Sequence, residues 1–169
     1  MNCKMISIDS STTKTGYAVF INGLLDSYKL IDTESIKDAE DRFNAMCKSI
    51  CQILEEQKPH IICIEKTNVE RNTNSLRVLS KMLGAIQCWS ILHDTEYVEL
   101  SPSKWRAYAA EGEKYPQKRE ELKAWSINKV KTKYGVDVDD NVADAILIGQ
   151  ARINQFKKWF GEKGDNNDN

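Results

Sequence analysis

The sequence predicts a mixed α/β domain built on a central five-stranded sheet, three strands antiparallel and then parallel strands, flanked by helices. Three observations carry this reading. Apolar runs of strand length crowd the first 31 residues. The hydrophobic period then changes after Asp38 to spacings of three and four, and beyond it strand-length and helix-length segments alternate. At 169 residues and 19.3 kDa the chain suits one domain, expected over residues 1–160, with a polar, disordered tail over 161–169.

Each element has its own signal. Met5-Ile6-Ser7-Ile8 is a buried-type strand, followed by a turn-rich stretch from Asp9 to Gly16. Residues 17–21 resume as a strand, Asn22-Gly23 is the favoured two-residue hairpin turn, and residues 24–31 return as its partner. Phe43, Met46, Cys47, Ile50, Ile53 and Leu54 mark one face of a helix that Lys58-Pro59 ends. Residues 60–65 form a fourth strand. A polar loop over 66–73 leads to a second helix with Leu76, Leu79, Leu83, Ile86 and Trp89, and residues 97–100 are a short strand. Ser101-Pro102 is a helix start, with serine as cap and proline in the first turn. Residues 103–134 read as helix with a break around 112–116. The last helix begins at Asp139-Asp140 and buries Val142, Ala145, Ile146, Gly149, Ile153 and Phe156.

Composition narrows the function. Hydrophobic residues at 41% and charged residues at 29% exclude wholesale disorder. No apolar run approaches the roughly 20 residues of a membrane span, and the N-terminus lacks a secretory signal, so a cytoplasmic protein without a membrane partner is expected. Twenty-four Lys and Arg against 25 Asp and Glu exclude a uniformly basic nucleic-acid coat but leave room for a basic face. Five cysteines form no C-x-x-C pair and read as small core residues; two histidines give no basis for a zinc site.

The chemistry resides in carboxylates. Two apolar strands end in an acid, Ile8-Asp9 and Ile64-Glu65. If those strands are parallel neighbours, both acids meet at the carboxyl edge where open sheets bind ligands. Asp139 or Asp140 serves as a helix N-cap, but Asp144 sits a full turn inside, beside Val142, Ala145 and Ile146, and needs a partner. Asn141 lies three residues earlier on the same face. Clustered carboxylates repel, and a hard divalent cation relieves that repulsion.

In this order and spacing, residues 8–19 (IDSSTTKTGYAV), Ile64-Glu65 and residues 140–145 (DNVADA) resemble the RuvC-type Holliday-junction resolvases of the ribonuclease H-like superfamily. Ser101-Pro102-Ser103-Lys104-Trp105-Arg106 and the basic helix beyond resemble phage-borne members in particular. The resemblance implies a two-metal, Mg²⁺-dependent endonuclease, with Mn²⁺ as substitute, that resolves Holliday junctions or other branched DNA and leaves 5′-phosphate and 3′-hydroxyl ends. Asp9, Glu65 and Asp144 match its metal-binding acids. The remaining position falls on Asn141, for which Asp140 is the alternative. The family inserts an aromatic side chain into the junction from the loop after the second acid; here the loop reads KTNVER and has none.

DNA affinity must come from local charge. Residues 101–135 carry nine Lys and Arg against four Glu. Lys118, Arg119 and Lys123, with Lys104 and Arg106, are candidate phosphate contacts, and Arg71, Arg77 and Lys81 form a second group. A four-way junction has two-fold symmetry, so a homodimer is expected, with Leu79, Leu83 and Ile86 as candidate interface or core residues. The alternatives are a non-catalytic branched-DNA-binding protein, which Asn141 favours, and a sugar-kinase or heat-shock-type ATPase fragment, which the Asp-x-x-x-Thr turn suggests.

Overall fold

A computed structural model describes residues 3–67 and 73–164, with side chains through Lys157. Five strands, β1 (Lys4–Asp9), β2 (Lys14–Ile21), β3 (Leu24–Asp32), β4 (Ile61–Glu65) and β5 (Glu96–Leu100), form one sheet in the order β3-β2-β1-β4-β5. The first three pair antiparallel; β4 and β5 add in parallel. Asn22 and Gly23, at φ 53° and 80°, make the hairpin turn that the sequence predicts.

Helices cover both faces. On one side lie α1 (Ala39–Gln57) and α2 (Thr73–Leu92); on the other lie α3 (Pro102–Ala110), α4 (Arg119–Tyr134) and α5 (Asp140–Gly164). Asp38 caps α1 by accepting the amide hydrogens of Glu40 and Asp41, both at 2.9 Å, and Lys58 closes the helix in the left-handed region.

Alternation along the strands divides the core in two. Ile6, Ile8, Ile62 and Ile64 pack with Met46, Ile50 and Leu54 of α1 and with Met82 and Ile86 of α2. Met5, Ile61 and Cys63 face α5, together with Phe20 and Trp105. The same period of two sends Asp9 and Glu65, two residues beyond Ser7 and Cys63, towards the α5 side.

Helix α5 lies unusually close to the sheet. The fully buried Ser7 hydroxyl donates to the Ala145 carbonyl at 2.7 Å. A Cβ on Gly149 would stand 2.3 Å from the Phe20 ring, and one on Gly16 would stand 2.1 Å from the Asn141 carbonyl oxygen. Both glycines are therefore required by volume, and Gly16 sets how near the start of α5 comes to the end of β1.

Several expectations need correction. Of the two roles open to Leu79, Leu83 and Ile86, interface or core, the structure gives them the core, at 3%, 7% and 1% exposure. The interruption between α3 and α4 spans residues 111–118, longer than the predicted break. Helix α5 runs through Gly164, four residues into the segment expected as tail. Among the cysteines, Cys63 is core, but Cys3 and Cys88 are exposed. No helix among the described residues is long and apolar enough to cross a membrane.

Candidate active site

The carboxyl ends of β1 and β4 open into a cleft of about 750 Å³. Asp9 and Glu65 stand at those strand ends, one register step beyond the Ile8–Ile64 pair, and the first turns of α5 bring Asp140, Asn141 and Asp144 to the same cleft. Three elements far apart in sequence thus contribute one carboxylate each, with Asp140 as a fourth acid. Four cations, Lys14, Arg106, Arg119 and Lys123, line it as well.

Asp144 is under electrostatic strain. Its Oδ1 is sealed from solvent and has no hydrogen-bond partner among the described residues. Loss of hydration pushes its carboxyl up to about 6; a hydrogen bond from Ser126 opposes that shift, and the nearby Glu65 charge adds to it. Glu65 is held differently. The Trp105 indole Nε1 donates to its Oε2 at 2.7 Å, and Arg106 Nη2 stands 3.9 Å from the same oxygen.

The acids at the head of α5 divide their roles. Asp139 is the cap, accepting the Val142 amide hydrogen at 2.9 Å. Asp140 pairs with Lys123 at 2.8 Å, and that hydrogen bond holds its carboxyl below the usual range. Asn141 lies on the helix face of Asp144, with its Nδ2 3.5 Å from Asp140 Oδ1.

Among the described residues, no three His, Cys, Asp or Glu side chains are gathered as a ready ligand cage. Glu65 meets Trp105 and Arg106, and Asp140 meets Lys123. The donor set nevertheless fits a hard divalent cation. It is all oxygen, and it contains a desolvated carboxylate oxygen that nothing else satisfies.

The predicted phosphate contacts separate. Arg106, Arg119 and Lys123 line the cleft. Lys118 precedes α4, is highly exposed and pairs with Glu121 at 3.5 Å. Lys104 opens instead onto a second concavity, beside Tyr108, Asn154 and Lys157. Arg77 is exposed on α2, and Arg71 lies outside the described residues. Farther along α4, Lys129 pairs with Glu113, Lys131 with Asp137 and Lys133 with Glu111, so much of the basic run is neutralised within the chain. Sequence reasoning missed Ser126, and it noted Trp105 only within the Ser101–Arg106 motif and not as a partner of Glu65. Neither carries a local signal, because each acquires its role from the carboxylate the fold brings to it.

A mixed sheet in this order, with acids at the ends of the adjacent strands β1 and β4 and on the closing helix, has the ribonuclease H-like fold. Residues 2–151 match the sequence family described as Lactococcus phage M3 protein, and the chain belongs to that family. It is similar to the crossover junction endodeoxyribonuclease RuvC of Hydrogenovibrio crunogenus, at 28% identity over 105 residues that make up 60% of each protein. It is also 26% identical to the RuvC of Carboxydothermus hydrogenoformans over 88% of this chain and 94% of that one. The fold of T. thermophilus RuvC, solved in complex with a Holliday junction substrate, superposes with a TM-score of 0.71 at 15% identity, covering 92% of this chain and 96% of that one.

Proposed function

We propose that this protein is a structure-selective DNA endonuclease that resolves four-way junctions or related branched DNA. The observation that carries the reading is the cleft itself: Asp9, Glu65 and Asp144, from β1, β4 and α5, line one cavity, and Asp144 presents a buried oxygen with nothing to satisfy it among the described residues. The similarity to two RuvC endonucleases supports the substrate class.

Asp9, Glu65 and Asp144, with the Asn141 side-chain carbonyl, would hold two Mg²⁺ ions, or Mn²⁺ in their place. Asp140 is assigned to anchoring Lys123 rather than to the ions. When bound, the ions supply activation of the attacking water and neutralisation of charge on the departing 3′ oxygen. The chain does the rest. Arg119 and Lys123 receive phosphates flanking the cut, Arg106 sets positive charge beside Glu65, and the carboxylates fix the direction of attack. Water adds at phosphorus as the P–O3′ bond breaks, leaving a 5′-phosphate and a protonated 3′-hydroxyl.

Two such sites are needed for paired nicks, and a two-fold homodimer supplies them. With Leu79, Leu83 and Ile86 in the core, the outward end of α2, where Ile91 and Leu92 are 70% and 75% exposed, is the surface we assign to a second copy.

The test is cleavage of labelled four-way junction, flap and linear duplex with Mg²⁺ or Mn²⁺. The branched substrates are cut, and Asp9→Asn, Glu65→Gln and Asp144→Asn each abolish cutting while junction binding persists. Tight binding with no cutting by either metal would make the protein a junction-binding module instead.

A further inference from the structure

Trp105 is fully buried, in the core between α3, α5 and the sheet. A buried indole needs an acceptor for its N–H, and a backbone carbonyl ordinarily serves. Here the acceptor is Glu65 Oε2, a carboxylate oxygen at the floor of the cleft, at 2.7 Å. The next residue on α3 reinforces the contact. The Arg106 guanidinium lies 4.7 Å from the centre of the Trp105 ring and brings Nη2 to 3.9 Å from that same oxygen. One oxygen of Glu65 thus accepts a hydrogen bond from Trp105, which cannot move without disturbing the core, and lies beside the charge of the next residue on the same helix.

From this geometry we propose that Trp105 is a positioning residue for the divalent-ion site. Its N–H holds the Glu65 carboxylate in one orientation, so that the ordering of a three-torsion side chain is completed on folding and not charged against ion binding. This rests on the reading of Glu65 as an ion ligand. A purely structural Trp105 would need only its ring. A positioning Trp105 needs its nitrogen.

Trp105→Phe keeps most of the ring and removes the N–H. Mn²⁺ affinity, followed by electron paramagnetic resonance of the free ion and without DNA, should fall about tenfold in this variant, while its circular dichroism matches the parent. Unchanged affinity in a folded Trp105→Phe protein overturns the proposal. If the variant does not fold, the parent protein still decides the matter. The Trp105 indole ¹H–¹⁵N resonance should shift as Mg²⁺ saturates the site and stay still in Glu65→Gln; no shift in the parent overturns the proposal. A parent protein that binds no Mn²⁺ at millimolar concentration instead defeats the ion-site reading itself, which separates the two failures.

Discussion

A carboxylate oxygen that a protein seals from water without a partner costs folding free energy, and Oδ1 of Asp144 is in that position among the described residues. Its carboxyl titrates near 6 in the folded chain, above the 3.8 of an ordinary aspartate. Between those values the native state holds a proton that the unfolded state has lost. Stability of the metal-free protein therefore falls as pH rises through this window and remains lower above it. Asp144→Asn should remove the penalty, raising stability in EDTA at pH 7 by on the order of 3 kcal/mol, with the gain nearly gone near pH 4. Urea unfolding of both proteins at the two pH values measures this. The same variant should be inactive in cleavage. A destabilised Asp144→Asn would mark the side chain as a structural anchor instead.

At the scale of elements, the site is an assembly problem for α5. Ser7 fastens the helix to β1 through the Ala145 carbonyl, and Gly16 lets its first turn touch β2. Gly16→Ala puts a methyl group where the Asn141 carbonyl stands, and a backbone atom cannot yield as the tip of a side chain can. It should cost about 1–3 kcal/mol, as overpacking does, and should lower cleavage by moving Asn141 and Asp144 away from Asp9. Thermal unfolding and junction cleavage measured on one preparation test both effects. Full activity in a destabilised protein would show that the helix start adjusts without moving the acids.

The elements themselves were largely legible in the sequence. The hairpin, the strand-end acids and the start of α5 follow from local rules that need only neighbouring residues. Leu79, Leu83 and Ile86 were not assignable, since an apolar stripe looks the same whether it meets its own sheet or another chain.

Across the whole molecule, charge is distributed by pairing rather than by sequence density. The basic segment at residues 101–135 looks like a continuous phosphate track, yet Lys131 is committed to Asp137 and lies away from the cleft, whereas Arg119 lines it. The salt dependence of junction binding should separate the two. Arg119→Ala is expected to reduce the slope of log K against log salt by about 0.9 in magnitude, and Lys131→Ala to leave it unchanged. Fluorescence anisotropy over a range of salt gives both slopes. Equal changes would mean that DNA extends along α4 beyond the cleft.

By itself, the sequence determined which residues are strands and helices, and that Asp9, Glu65 and Asp144 stand where apolar elements end or turn inward. Those are consequences of period and of the cost of burying charge, both readable within a few residues. Only the tertiary structure decided that the three line one cleft, that Asp140 is taken by Lys123, and that Trp105 reaches Glu65 across 40 positions of chain. The reason is physical: a carboxylate's partner is chosen by distance in space. That distance depends on the parallel pairing of β1 with β4 and on how closely a glycine allows α5 to approach the sheet.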